Sequence, residues 1–259
     1  MKTLLYSLWL ALLTISAHAG DPATDLAAKL AAMQQDGASV VRLKMEVKGS
    51  TKSTLQLQIK QRRTSAGTEV VYQVLWPKER AGEAVLLRKT GGQAATGAIF
   101  IPPSTVRTLD STQMKEALLG SDLSYGDVVE NFFTWDRQAI VGTEVVNRVN
   151  CEVLESKPGK GQRSSYASVR TWVDRRRDVP LRVEKYLASG QAVRRIDTTR
   201  VATNDTKQAV PANLAVSDLR QGSVTELNGA GVKHGVSFSD REFTPAGFME
   251  VVPARSGAN

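Results

Sequence analysis

In Val41-Arg42-Leu43-Lys44-Met45-Glu46-Val47-Lys48 every odd position is apolar and every even one charged. Side chains alternate faces along a strand, so this period-2 pattern describes a β-strand with one buried face and one wet face. Gly49 to Ser53 has turn composition, and Leu55-Gln56-Leu57-Gln58-Ile59-Lys60 repeats the alternation. The two runs predict an antiparallel hairpin.

Further strands are expected on both sides of turn signals. Glu69 to Trp76 stops at Pro77, Glu83 to Arg88 precedes Gly91-Gly92, and Ala98 to Ile101 stops at Pro102-Pro103. Trp135 to Val141, Arg148 to Glu155, Tyr166 to Val173, Leu181 to Leu187 and Gln191 to Arg200 complete the set, with a tight turn at Ser189-Gly190. Many short strands without a βαβ rhythm point to a sandwich or a barrel. Helices are expected at Asp25 to Gln35, where Leu26, Leu30 and Met33 share one face, and at Asp110 to Leu119. Ser124 with Asp127 three residues on predicts the cap of a second short helix, with Val128, Val129, Phe132 and Phe133 on its apolar side. Thr244-Pro245 reads as another helix start. No repeat or linker divides residues 20–259, which read as one domain.

Residues 1–19 read as a secretory signal peptide. Lys2 precedes an apolar run from Leu4 to Ile15, and Ala17-His18-Ala19 has the small-x-small form of a cleavage site. The run is shorter than the roughly 20 residues of a membrane span. Cleavage after Ala19 is expected, with no cysteine nearby to carry a lipid, and export to the periplasm follows.

The 259 residues carry a formal net charge of +8, one cysteine and two histidines. One cysteine excludes an internal disulfide, and the few Cys and His disfavour a zinc site. Removal of the signal segment leaves His234, in a Gly-rich stretch, as the sole histidine for any Ser-His-Asp chemistry. No G-x-S-x-G elbow accompanies it. Cys151 shares parity with Val149 and Val153, so it is expected in the core as a small apolar group. Asp110, Asp122, Asp127 and Glu130 cluster around the helical insert. Paired carboxylates serve glycoside hydrolysis, whereas helix capping explains Asp127 directly. No Gly-rich phosphate loop is present. Arg175-Arg176-Arg177 is a basic run. Export argues against nucleic acid, and the run suits either a solvated turn or contact with anionic headgroups or an acidic partner.

The apolar strand faces remain. Leu43, Met45 and Val47 face one way, as do Leu55, Leu57 and Ile59, and Tyr72, Val74 and Trp76 are expected to join them. Ile99, Trp135 and Trp172 are placed nearby. Periodicity describes a packed core and an apolar ligand cavity equally well.

Leu118-Leu119-Gly120-Ser121-Asp122-Leu123-Ser124-Tyr125-Gly126-Asp127 resembles the "LGSD-x-SY-x-D" segment of periplasmic outer-membrane lipoprotein-sorting proteins, the LolA/LolB-like group. Three further stretches are similar in order: Cys151 to Glu155, Thr171-Trp172-Val173-Asp174 with Pro180 to Tyr186, and Phe243-Thr244-Pro245. The likeness spans roughly Val40 to Met249. It departs from the pattern at Glu226 to Gly231, which is Gly-rich where a firm last strand is expected.

The resemblance implies a mainly β (α+β) fold: an unclosed, strongly curved antiparallel β-barrel with short helices covering an apolar cavity. Leu118, Leu119, Tyr125, Val128 and Phe132 would form the lid, with Asp122 and Asp127 capping and pinning it. It implies a monomeric periplasmic carrier of lipid or of lipoprotein acyl chains, moving its load towards the outer membrane. An inner-membrane transporter and an outer-membrane acceptor are the implied partners, and peripheral membrane contact fits the basic run. No catalysis, cofactor, metal or nucleic acid is implied. The alternatives are a LolA-like interaction module serving a transporter or an envelope-signalling partner, and a secreted hydrolase built on His234 and Asp127.

Overall fold

The computed structural model describes residues 21–34, 37–49, 52–205 and 207–248. The expected signal segment lies outside the described residues, as does Gln35. Helix α1 (Pro22–Gln34) comes first. Six strands follow: β1 (Gly37–Lys48), β2 (Ser53–Arg63), β3 (Gly67–Trp76), β4 (Ala84–Thr90), β5 (Thr96–Ile101) and β6 (Thr105–Leu109). An insert carries α2 (Tyr125–Val129) and three 3-10 turns at Gln113–Lys115, Leu118–Gly120 and Phe132–Thr134. Seven more strands complete the sheet: β7 (Arg137–Val146), β8 (Val149–Lys157), β9 (Ser168–Asp174), β10 (Val179–Tyr186), β11 (Ala192–Thr203), β12 (Ala209–Asp218) and β13 (Ser223–His234). The short helix α3 (Pro245–Phe248) is the last described element.

The 13 strands of the described residues form one antiparallel sheet in the order β6-β5-β4-β3-β2-β1-β13-β12-β11-β10-β9-β8-β7. The order follows the chain in two meanders, joined where β13 pairs with β1. The two edges are β6 and β7, which are consecutive in sequence. The ring of strands is therefore open at one place, and the insert at 110–136 is the chain that links the two edges. The sheet is unclosed and curled.

Register fixes the concave face. Met45 sits opposite Leu55, Leu43 opposite Leu57 and Val41 opposite Ile59, so the apolar halves of both alternating strands lie side by side. Met45, Leu55 and Leu57 are at most 2% exposed. Each such side chain contributes roughly 1.5–3 kcal/mol by leaving water. Val70, Tyr72, Val74, Val85 and Leu87 continue this layer, and Met114, Leu118 and Leu123 of the insert pack against it. A second cluster joins α1 through Leu26 and Leu30 to Phe132, Phe133, Trp135 and Leu154. On the opposite face of β3 to β5, Val71, Leu86 and Phe100 are covered by Phe243 and Phe248.

Several elements differ from the sequence reading. The helix expected at Asp110 to Leu119 is absent and two 3-10 turns replace it. Asp110 accepts from the backbone N–H groups of Thr112 and Gln113 and from the Thr112 hydroxyl. Such local bonds compete with an α-helix. Leu119 also has φ of 53° inside the second turn, which ends regular helix there. Strand β6 carries no alternation: Thr105 to Thr108 are all exposed. Strand β12 contains Pro211, which precedes the stretch paired with β13 and lies beside a register shift against β11. A proline is tolerated at such a place because no ladder N–H is needed.

The Gly-rich run at Glu226 to Gly231 is a full strand. Val41 pairs with Val232 and Leu43 with Gly229, so β13 has a bulge opposite Arg42. Gly231 has φ of 133° there, a conformation that glycine adopts without strain.

Candidate functional site

The site is the space between the concave face and the insert. Ser124 caps α2 with a reciprocal box: the Asp127 N–H donates to Ser124 Oγ (3.2 Å) and the Ser124 N–H to Asp127 Oδ2 (2.7 Å). The same carboxylate reaches the wall. Lys185 Nζ of β10 donates to Asp127 Oδ1 at 2.6 Å, and the Tyr166 hydroxyl donates to that oxygen at 2.7 Å. Arg194 of β11 places Nε 3.2 Å from Asp127 Oδ2. Burial alone would raise the Asp127 carboxyl. The charges of Lys185 and Arg194 and the bonds from Lys185 and Ser124 outweigh it and hold the group at about 2. Burial alone would lower the Lys185 ammonium, and Asp127 instead raises it. The pair is ionised on both sides.

Two more ties hold the insert. Asp122 accepts from the hydroxyls of Ser223 and Thr225 on β13, and its own N–H donates to Thr225 Oγ1 at 2.9 Å. Arg63, at the end of β2, donates from Nη2 to the Val128 carbonyl at 3.1 Å. Glu130 is held by Ser164 Oγ at 2.9 Å and lies 3.7 Å from Lys89 Nζ. Its Oε1 is buried without a hydrogen bond, and burial raises its carboxyl against the pull of Lys89 and Lys185.

Under the lid is a cavity of about 340 Å³, inside the range of about 300–1,000 Å³ of ligand pockets. Of the residues expected to line it, Leu43, Met45, Leu57, Ile59 and Tyr72 do so from the wall, and Leu118, Val128 and Phe132 from the lid. The sequence reading missed the far wall: Ile196, Pro211, Leu214, Val216 and Leu227 come from β11 to β13. It also missed the ionic margin of Arg63, Asp127, Glu130 and Lys185. The parity that Lys185 shares with Val183 was the signal for Lys185, since a lysine at an inward parity requires a partner.

Other expected cavity residues lie elsewhere. Leu55 and Val74 are packed in the core beneath the wall, Ile99 is half-buried against it, and Tyr125 is buried there too. Leu119 is half-buried beside this core. Val47 faces a separate polar recess. Trp76 is 48% exposed, because β3 ends there and Pro77 turns the chain away. Trp135 packs with Phe132, 6.2 Å between ring centroids, in the α1 cluster. Trp172 pairs across strands with Val153 and clusters with Cys151. That face is opposite to Leu154, which lies in the α1 cluster. The Trp172 indole N–H donates to Glu144.

The arginine run forms the turn between β9 and β10 and is exposed. Arg175 pairs with Glu152 and Arg177 with Asp174, so two of the three charges have acidic partners. Cys151 is fully buried, and burial pushes its thiol up. His234 Nδ1 lies 2.5 Å from Asp205 Oδ1, and Asp110 is occupied by its own turn. No helix among the described residues is long and apolar enough to cross a membrane, and no group of three or more metal-ligating side chains occurs among them.

No curated protein matches the chain. Several solved structures are similar to it. A DUF1329 family protein from Desulfovibrio piger superposes with a TM-score of 0.80 at 20% identity, covering 87% of this chain and 97% of that one. A domain named for outer membrane lipoprotein sorting, from Vibrio parahaemolyticus, gives 0.77 at 20% identity over 88% and 98%. A LolA superfamily protein from Nitrosomonas europaea gives 0.68 at 18% identity over 86% and 97%. At these identities the likeness is one of fold. A family model described as "-like: Uncharacterized protein" matches residues 67–250, and by that match the chain belongs to the DUF1329 family, whose structural neighbours are LolA superfamily and lipoprotein-sorting domain proteins.

Proposed function

We propose that this protein is a periplasmic carrier that holds lipid, or the acyl chains of lipoproteins, between the curled sheet and its lid and delivers them towards the outer membrane. The observation that carries the reading is the apolar cavity under a lid fastened at a few polar points. Each methylene transferred from water contributes roughly 0.8 kcal/mol, so a chain needs no directional contact to be retained. Release needs only the lid to move, and its ties are a small set of named bonds. The fold shared with a lipoprotein-sorting domain and a LolA superfamily protein supports a lipid-binding role. The signal segment read at residues 1–19 supports export. The proposal contains no covalent step.

Protein purified from periplasm without detergent should carry bound lipid by native mass spectrometry and take up a fluorescent fatty-acyl probe. Absence of both would remove the carrier reading in favour of an interaction module with a closed core.

A further inference from the structure

A second recess lies at the other side of the lid, with a volume of about 460 Å³. Its lining is charged and polar where the main cavity is apolar. Three cations face it: Lys115 of the insert, Arg194 of β11 and Arg220 of the turn between β12 and β13.

The carboxylates in this recess are already occupied. Asp218 takes the fork of Arg220, with Nε donating to Oδ1 at 3.1 Å and Nη2 to Oδ2 at 2.7 Å. Asp122 is filled by the Ser223 and Thr225 hydroxyls. Arg194 is different. The residue is 6% exposed, and its guanidinium makes ion contacts only, at 3.2 Å to Asp127 and 3.8 Å to Asp218. Its Nε is buried against Asp127 without a hydrogen bond, and its Nη1 end lies beside Asp218 in the lining of the recess. Asp127 is shared with Lys185, so one carboxylate faces two buried cations. A guanidinium has five N–H donors in a fixed fork that suits a planar or tetrahedral oxyanion. The Nη1 end has only the 3.8 Å ion contact to Asp218, and an oxyanion in the recess would give it an acceptor. Lys115, exposed at the rim, has no acidic partner among the described residues.

We infer that this recess binds an oxyanion of the phosphate class, with Arg194 as the inner donor and Lys115 at the rim. Leu123 lines both the recess and the apolar cavity. An amphiphile could therefore set its phosphate in the recess and pass its chain by Leu123 under the lid. The anion chemistry stands by itself, and only its attachment to a chain rests on the carrier reading. The source is either a lipid phosphate or free phosphate.

The test is calorimetric titration of the full chain with three probes: inorganic phosphate, a short-chain diacyl phosphatidate, and the matching diacylglycerol. The phosphatidate should bind about tenfold tighter than the diacylglycerol. Lys115→Gln, at an exposed position, should lower that preference severalfold and leave diacylglycerol uptake unchanged. Arg194→Lys keeps the buried charge and should lower it further, with folding checked by circular dichroism. Binding of inorganic phosphate that both variants weaken, without a preference between the two amphiphiles, supports the site with free phosphate as its source. Equal binding of both amphiphiles with no phosphate binding overturns the site and leaves the carrier reading intact. Phosphate binding that neither variant changes also overturns it. Failure of both amphiphiles with phosphate still bound through Arg194 and Lys115 overturns the carrier reading alone.

Discussion

The Lys185 ammonium lies 2.6 Å from the Asp127 carboxylate, and the two side chains are 2% and 0% exposed. Asp127 is at once half of the capping box of α2 and the acceptor for a strand on the far wall. Secondary structure in the lid and attachment of the lid are therefore one interaction. Removing one partner leaves the other charge buried and unpaired, at a cost of about 3–5 kcal/mol. Asp127→Ala should destabilise by that order in urea unfolding. Lys185→Met should cost less, because Arg194 still faces the carboxylate. The double variant should recover part of the loss, and the coupling energy of the cycle measures the pair.

The same carboxylate sets an acid limit. Asp127 is held at about 2 against an ordinary 3.8. An acid lowered on folding stabilises above its unfolded value and loses that contribution as the pH falls through its folded value. Stability should drop by on the order of 2 kcal/mol between about pH 4 and pH 2 on this account. In Asp127→Asn that limb of the pH profile should be shallower by the same amount. An unchanged limb would assign the acid transition to other groups.

Met45 and Leu57 are at most 2% exposed and line the cavity. Met45→Trp or Leu57→Trp should fill that space. Overpacking costs about 1–3 kcal/mol, so the variants should fold while losing uptake of a fluorescent acyl probe. Full uptake in both would place the ligand elsewhere.

Arg63 holds the Val128 carbonyl at 3.1 Å. Arg63→Leu removes that tie and leaves the capping box intact. Hydrogen exchange of the Tyr125–Val129 amides should rise by about tenfold, as expected for a bond worth roughly 1.5 kcal/mol, while β1 and β2 exchange as before.

Thr225 is fully buried and serves Asp122 as both donor and acceptor. Thr225→Val keeps the shape and removes both bonds. It should destabilise by about 1–3 kcal/mol and, as a second tie, should also speed exchange in the lid. A loss confined to global stability, with lid exchange unchanged, would limit Thr225 to the strand itself.

Legibility differed by element. The strict alternation in Val41 to Lys48 and in Leu55 to Lys60 fixed β1 and β2 because one burial environment acts on each parity. The Ser124–Asp127 cap was readable for a similar reason: both partners lie within one helical turn. Asp110 to Leu119 misled because a helical pattern says nothing of the local bonds Asp110 makes. Strands β6, β12 and β13 carried weak signals, since an exposed edge has no buried parity and prolines and glycines are accommodated at register shifts. Of the several expected cavity residues that do not line it, Trp76 and Trp172 show two different reasons. The first is the exposed last residue of its strand, and the second lies on the opposite face from Leu154.

By itself the sequence determined that the chain is mainly antiparallel β, with a capped lid helix and apolar strand faces, because these depend on the periodicity of neighbours along the chain. Tertiary structure alone decided which apolar residues enclose a cavity and which are packed solid. It also decided that β13 meets β1 so that the ring opens only between β6 and β7, and that Lys185 and Arg194 converge on Asp127. Those outcomes depend on which strands become neighbours and how far the sheet curls. That brings residues 58 positions apart within 2.6 Å, a relation that local spacing does not encode.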